Sequence, residues 1–283
     1  MTAELGCVLL TMGDRPQALA RAVASVRAQT AVTVDVLVVV NGDAEVEVDG
    51  ARVHRVGHNL GIPAGRNLGV ELVEGEVVLF LDDDAWLEDD TVARALLARF
   101  ATTPDLAVVS LRIADEHGHS QRRHVPRLRA GDPARSSPVT TFLGGAAAVR
   151  RRAFEEAGGL PEEFFYAHEE TSLAWRLVDR GWRLVYDGTL VVRHPRTPTT
   201  RHAEGRRLSA RNRVLLARRH LPWPLAVVYV LDWLVLTLLR DRGGWRATLA
   251  GLWQGLRWAP VVREPISWRG IWRLTRTGRP PVL

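Results

Sequence analysis

The chain has 283 residues, 46% hydrophobic and 25% charged, with a formal net charge of +6. That is long enough to bury a proper core, as one large domain or a domain with an appendage, in an ordinary globular composition. A single cysteine, Cys7, excludes an internal disulfide framework and fits a reducing compartment. The first residues show no basic segment followed by a long apolar run, so no signal peptide is expected.

The predicted elements begin with a short apolar strand at Cys7–Thr11, followed by "GDRPQALARAVASVRAQ". There Asp14 suits an N-cap and Pro16 the first helical turn, and Leu19, Ala22, Val23 and Val26 recur at helical spacing. Residues 34–40, "VDVLVVV", read as a buried strand ending in the turn "NGD". "RVHRV" is a further short strand, and "GHNLGIPAGRNLGVELVEG" is a glycine-rich turn opening a helix. "EVVLFL" is another buried strand; a helix from about Asp89 to Phe100 and a strand at Leu106–Ser110 follow. Apolar strands alternating with helices argue for a parallel α/β sheet covered on both faces. Residues 111–140 are polar, rich in Arg, His and Pro, and only weakly periodic. Order resumes with a glycine pair and a short helix in "FLGGAAAVRRRAFEEAGGL", then a helix carrying Leu173, Leu177 and Val178, then the strand "LVVRH".

Beyond residue 200 the character changes. Residues 1–192 carry 20 Arg against 28 Asp plus Glu, a balance of −8, whereas 193–283 carry 18 Arg against 4 acids, a balance of +14. Seven of the ten Trp lie beyond residue 220, so a basic, Trp-rich extension follows an acidic body. The apolar run 225–239 would span only about 22 Å as a helix at ~1.5 Å per residue, short of the ~30 Å bilayer core. Trp245, Leu249, Leu252, Trp253 and Leu256 form one helical stripe with Arg246 and Arg257 outside it, the pattern of a helix lying at a membrane surface. The alternative is a helical pair packed on the body.

The chemistry concentrates in "EVVLFLDDDAWLEDD", where a buried strand runs into Asp82, Asp83 and Asp84. Three adjacent carboxylates suit either an acidic loop before a helix or a hard divalent cation that bridges protein oxygens to phosphates. In α/β sheets ligands bind beyond the carboxyl ends of the strands. "TMGDR", "NGD", "NLGIPAGRN" and "DDD" all fall at such ends, and Arg66 supplies a fork suited to phosphate. "NLGIPAGRNLG" lacks a GK[ST] ending, and its glycines at 61, 65 and 69 do not fit G-x-G-x-x-G, which disfavours both NTP hydrolysis and nicotinamide chemistry.

The order of motifs resembles glycosyltransferase family 2, the inverting enzymes of GT-A fold, and within it a bacterial rhamnosyltransferase-like branch. The resemblance runs from about Cys7 to His194 and rests on "VLLTMGDRPQAL", "VLVVVNGD", "NLGIPAGRNLGV", "VVLFLDDDAWL", "FLGGAAAVRRRAFEEAGGLPEEFF", "EETSLAWRLVDRGWRLVY" and "VVRH". It implies an α/β GT-A domain over 1–200, with a Rossmann-like mixed, mainly parallel sheet flanked by helices, a nucleotide-sugar half (1–110) and an acceptor half (111–200), and a helical extension over 201–283. It also implies a UDP-, dTDP- or GDP-linked sugar donor and a divalent metal, Mn²⁺ or Mg²⁺.

By that resemblance Asp82 and Asp84 are the outer residues of a D-x-D motif. Asp84 would ligate the metal, Asp82 would contact the donor's ribose or the ion's water shell, and Asp83 would be the middle residue. Thr11, Gly13 and Arg15 would lie near the base and ribose. Where the family often reads "VDNGS", this chain has Val40, Asn41, Gly42 and Asp43, so that either Asp43 compensates or the base is recognised differently. Asn59, Gly61, Arg66 and Asn67 would form the nucleotide-contacting loop, and Gly144 and Gly145 would bring backbone close to sugar or acceptor. Inversion needs one base to deprotonate the acceptor. The family's acidic pair falls on Glu169 and Glu170, with Glu170 as base and Glu169 assisting; Glu replaces the family's Asp, and Ser172 replaces a second Asp. His194 would be a late metal ligand, and His168 would either line the acceptor pocket or serve a structural role.

The expected activity is therefore metal-dependent, inverting transfer of a sugar to a lipid-linked saccharide or a small-molecule or carrier-bound acceptor. The expected location is the cytoplasm, with peripheral contact on the inner face of the membrane. Two other classes stay open: nucleotidyl transfer, and a nucleic-acid-binding module using Arg clusters such as "GRRLSARNRVLLARRH". In that segment Leu208, Leu215 and Leu216 favour a helix packed on one side, and no nucleic-acid partner is expected.

Overall fold

The computed structural model describes residues 3–128, 130–196, 204–240 and 243–282. In chain order the elements are β1 (Leu5–Thr11), α1 (Pro16–Arg27), β2 (Val34–Val40), β3 (Arg52–Arg55), α2 (Ile62–Leu72), β4 (Val77–Asp82), β5 (Trp86–Leu87), α3 (Val92–Thr102) and β6 (Leu106–Ala114). They continue with β7 (Ser137–Pro138), β8 (Ala146–Arg150), α4 (Arg151–Glu156), α5 (Glu169–Asp179), β9 (Arg183–Arg193), α6 (Gly205–His220), α7 (Trp223–Arg240), α8 (Trp245–Arg257) and α9 (Trp268–Arg276).

Among the described residues the strands form one sheet in the order β3-β2-β1-β4-β8-β6-β9-β5, with β7 on β9. The first half is parallel, as the alternation of elements requires. The second half is not parallel throughout: β8 runs antiparallel between β4 and β6. The sequence pattern did not reveal β8, because Ala146, Ala147 and Ala148 carry little strand propensity and no alternation. The cost of misreading it is directional. β8 starts at the end of the sheet where β4 finishes, with Leu81 opposite Ala146, so the glycine pair before β8 lies beside the aspartates.

Both faces of the sheet are covered, and strand alternation divides the side chains between them. Leu5, Cys7 and Leu9 join Leu19 and Val23 of α1 and Leu96 and Phe100 of α3 in one core. Val8, Val39 and Phe80 join Phe154 of α4, Leu173 and Leu177 of α5, and Leu215 and Leu216 of α6 in the other. The extension past residue 200 is therefore no detached appendage at its start: α6 is part of the main core. Among the described residues no helix is long and apolar enough to cross a membrane. The expected cap of α1 shifts by one residue. Arg15, not Asp14, takes the N-cap position, without a side-chain cap bond, and its guanidinium turns toward the end of β4.

Candidate active site

Beyond the carboxyl ends of β1, β2 and β4 lies an open cleft of about 690 Å³. β4 ends at Asp82, and the three aspartates then separate. Asp82 is half-exposed, whereas Asp83 and Asp84 are buried. Asp83 accepts a 2.6 Å hydrogen bond from the Thr11 hydroxyl and faces the Arg15 guanidinium at 2.7 Å. Burial outweighs both partners and pushes its carboxyl up to about 6. Asp84 is held from one side by Arg15 and from the other by His194, whose Nε2 lies 3.1 Å from Asp84 Oδ1 and 3.9 Å from Asp82 Oδ2.

One ligand atom from each of Asp82, Asp84 and His194 falls within 4.8 Å of the other two. His194 Nδ1 donates to the Pro195 carbonyl oxygen at 2.7 Å, which aims Nε2 at the carboxylates, the arrangement a ligating imidazole needs. Burial lowers the His194 pKa, but the hydrogen bond and charge of Asp84, with the charge of Asp82, raise it on balance. Two carboxylates and an imidazole form a donor set suited to Mg²⁺ or Mn²⁺.

The glycine pair opens the space these groups need. A Cβ on Gly145 would fall 2.0 Å from Asp82 Oδ2, and one on Gly144 would fall 2.0 Å from an Arg66 nitrogen and 2.5 Å from Glu170 Oε1. Arg66, buried in α2, bridges Asp82 at 3.3 Å and Glu170 at 3.4 Å. Glu170 Oε1 also accepts from the Gly144 N–H at 3.2 Å. Glu169 is buried, and its Oε2 has no hydrogen-bond partner among the described residues. Burial and the neighbouring Glu170 raise its pKa, with Arg66 opposing.

The acidic pair stands on a strained turn. Phe165, Ala167 and His168 have φ of 61°, 70° and 71°, in the left-handed region that non-glycine residues avoid. Asn212 of α6 secures that turn: its side-chain amide donates to the carbonyls of Phe164, Tyr166 and Ala167 at 2.9, 2.7 and 2.8 Å. Arg211 adds bonds to the Glu163 and Phe164 carbonyls. His168 Nε2 pairs with the Ser209 hydroxyl at 2.9 Å, and the Ser172 hydroxyl pairs with His220 Nε2 at 2.7 Å. Sequence reasoning missed this brace. "SARN" and His220 read there as a basic helix, and no local pattern ties them to a turn some 45 residues earlier.

Of the residues named from sequence, Thr11, Arg15, Asn41, Asn59, Gly61 and Arg66 line the cleft. So do Asp82, Asp83, Asp84, Gly144, Gly145, Glu169, Glu170 and His194. Asn41 shapes the loop ahead of α2: its amide donates to Asn59 Oδ1 and the Gly61 carbonyl, and its Oδ1 accepts from Leu60. Gly61, at φ 84°, abuts the Phe165 carbonyl, where a Cβ would fall 2.6 Å away. Four named residues fall outside the cleft's lining. Gly13 forms the turn after β1, donating to the Thr11 hydroxyl. Asp43 is exposed. The Asn67 amide is used in bonds with Leu160 and Glu162. His168 faces a separate small cavity with Thr171, Arg213 and Tyr229. The cleft also contains Arg123, His124 and Tyr166, from stretches without periodic signal.

The profile of the family described as Glycosyl transferase family 2 matches residues 7–158. The N-acetylglucosaminyl-diphospho-decaprenol L-rhamnosyltransferase of Mycobacterium tuberculosis is 26% identical over 270 residues, spanning 79% of this chain and 87% of that protein. The fold is that of GT-A enzymes. It superposes on S. aureus TarS with a TM-score of 0.61 at 14% identity, covering 90% of this chain and 81% of the other. It superposes on the Pyrobaculum calidifontis mannosyltransferase solved with GDP-Man and Mn²⁺ with a TM-score of 0.55 at 15% identity, covering 98% and 73%.

Proposed function

Since the chain belongs to glycosyl transferase family 2 and is a glycosyltransferase, we propose that its cleft moves a sugar, with inversion, from a nucleoside-diphosphate donor to an acceptor hydroxyl. That membership sets aside nucleotidyl transfer and nucleic-acid binding as its primary activity. The observation that carries the proposal is the meeting, in one cleft, of Asp82, Asp84 and His194 with the acidic pair of α5. Asp84, His194 and Asp82 would hold a divalent metal, whose chemistry there is neutralisation of the departing diphosphate. Thr11, Arg15, Asn41, Asn59 and Gly61 border the donor's nucleotide, and Arg66 faces its phosphates.

Glu170 accepts the proton of the acceptor hydroxyl as the new bond forms at the anomeric carbon and the bond to the diphosphate oxygen breaks. Glu169 sits behind it, and Arg66 holds Glu170 in place. One base on one side of the sugar is what inversion requires. Residues 1–110 make the donor half and 111–200 the acceptor half, with the extension from 201 bracing the acidic pair. The breadth of the match to the mycobacterial rhamnosyltransferase supports an L-rhamnosyl donor and a saccharide on a polyprenyl diphosphate as acceptor. A lipid-borne acceptor places the enzyme on the cytoplasmic face of the membrane, held peripherally.

The test is transfer by the purified chain from UDP-, dTDP- and GDP-sugars to a short-chain polyprenyl-diphosphate N-acetylglucosamine, with the product anomer assigned by NMR. An inverted product that depends on added Mn²⁺ or Mg²⁺ and is lost in Glu170→Gln supports the proposal. A product of retained configuration, or undiminished activity in Glu170→Gln, refutes it.

A further inference from the structure

The helices beyond α6 use one side to pack and leave an apolar side in solvent. α8 meets α6 through its small residues. A Cβ on Gly251 would fall 2.1 Å from the Arg207 carbonyl oxygen, and one on Gly255 would fall 2.8 Å from that of Arg211. That close approach turns the large side chains of α8 outward: Trp245, Leu249, Trp253 and Leu256 are 43–59% exposed. α7 buries Ala226 and Tyr229, while Val227, Leu231, Val235 and Leu239, at every fourth position, are 54–69% exposed. Thirteen of the seventeen large apolar side chains that are exposed among the described residues lie beyond residue 220. Patches on this scale mark interaction surfaces.

Charge identifies the occupant. Residues 193–283 carry 18 Arg against 4 acids. A second copy of the chain would bring two faces of the same sign together, whereas an anionic lipid surface complements them. The arginines also sit beside the exposed indoles. Arg257 lies 4.1 Å over Trp253, Arg246 5.3 Å over Trp245, and Arg263 4.0 Å over Trp223. Indole at the headgroup level with guanidinium beside it is the composition of an interfacial helix. Among the described residues neither helix is long and apolar enough to cross the bilayer.

We propose that α7 and α8 are the membrane-docking surface of this protein and lie flat on an anionic bilayer. Their outward Val, Leu and Trp side chains enter the acyl–headgroup boundary, and the exposed Arg246 and Arg257 meet lipid phosphates. This rests on the membrane-borne acceptor read above and deepens it. α6 joins the two sites, because Leu208 in its second turn lines the cleft while its flank carries α8. The cleft is thereby held close to the lipid surface that presents the acceptor.

The test is co-flotation of the full chain with vesicles of phosphatidylcholine alone or mixed with phosphatidylglycerol, at low and high salt. Binding to the mixed vesicles, weak binding to phosphatidylcholine alone, and loss in high salt are expected. The paired changes Leu231→Glu with Val235→Glu, and Trp253→Ser with Leu256→Ser, should each weaken vesicle binding by about tenfold or more. Nucleotide binding and the unfolding midpoint should stay as in the unmodified chain, because all four side chains are exposed. Equal binding to both vesicle types, or undiminished binding by both variants, overturns the proposal. So does a dimer in sedimentation that either variant dissolves. Failure of transfer to the polyprenyl acceptor while vesicle docking persists removes the acceptor reading and leaves the docking surface standing.

Discussion

Replacing Asn212 with alanine tests whether α6 holds the turn beneath the acidic pair or merely covers it. The side chain is fully buried, and its two amide hydrogens serve the carbonyls of Phe164, Tyr166 and Ala167. Alanine leaves Phe164 with its bond from Arg211 but strips Tyr166 and Ala167 of the Asn212 partner. Loss of the Asn212 bonds to these two half-buried carbonyls, at about 1–2 kcal/mol each, gives an expected loss of about 2–4 kcal/mol in unfolding free energy. The released turn contains three residues in the left-handed region, each holding on the order of 1–3 kcal/mol of strain, so it relaxes and shifts the start of α5. A displacement of about 1 Å at Glu170 is expected to cost about 10²-fold in kcat, with donor affinity little changed, because Asp82 and Asp84 are carried separately at the end of β4. Asn212→Asp keeps the shape but turns a carboxylate toward the carbonyls, and should be at least as damaging. Urea unfolding and steady-state transfer kinetics read both quantities. Stability within about 0.5 kcal/mol of the unmodified chain would refute the brace. A destabilised Asn212→Ala with unchanged kcat would show that α6 stabilises the turn without positioning the acidic pair.

Arg66→Ala should lower kcat by about 10²-fold, since it leaves Asp82 and Glu170 facing each other without the shared cation, and Arg66→Lys should recover only part, lacking the fork that spans both. Gly145→Ala should fold, because β8 pairs through its backbone, yet weaken metal binding by about tenfold or more as Asp82 is displaced; calorimetry with Mn²⁺ reads this. His220 is buried and neutral, with burial and the charge of Arg176 lowering its pKa to about 3. Between its ordinary value of 6.5 and about 3 the unfolded chain binds a proton that the folded chain refuses, so stability should fall as pH drops through that window. Urea midpoints against pH should show this slope reduced in His220→Gln.

Much of the cleft at the ends of β1, β2 and β4 was legible because it is built locally. β1, β2 and β4 announce themselves as apolar runs, and the polar residue that ends each run is the one delivered to the cleft: Thr11, Asn41 and Asp82. The fold class follows from the same alternation. What sequence could not supply was anything fixed by long-range packing. Ala146–Ala148 form a central antiparallel strand only because Gly144 and Gly145 let the chain pass Asp82 and Glu170. Asn67 looks like part of a nucleotide loop but faces Leu160 and Glu162, since one helical step from the buried Arg66 turns it to another side of α2. Asn212 and His220 sit in an Arg-rich stretch that reads as a basic helix packed on one side through Leu208, Leu215 and Leu216. Their role depends on α6 packing against α5, which no local period encodes. The outward stripe of α8 was legible as a stripe, and only the small-residue contact of Gly251 and Gly255 with α6 shows which way it points.

Asp82, Asp84 and His194 are proposed to form a metal-assisted diphosphate site. Calorimetric titration of the purified chain with UDP, dTDP and GDP, each with and without Mn²⁺, alongside Asp84→Ala, tests that site. Mn²⁺-dependent binding of one nucleotide, lost in Asp84→Ala, is the expected result. Nucleotide binding of equal strength without metal and in the variant, or no binding by a folded chain, would contradict it.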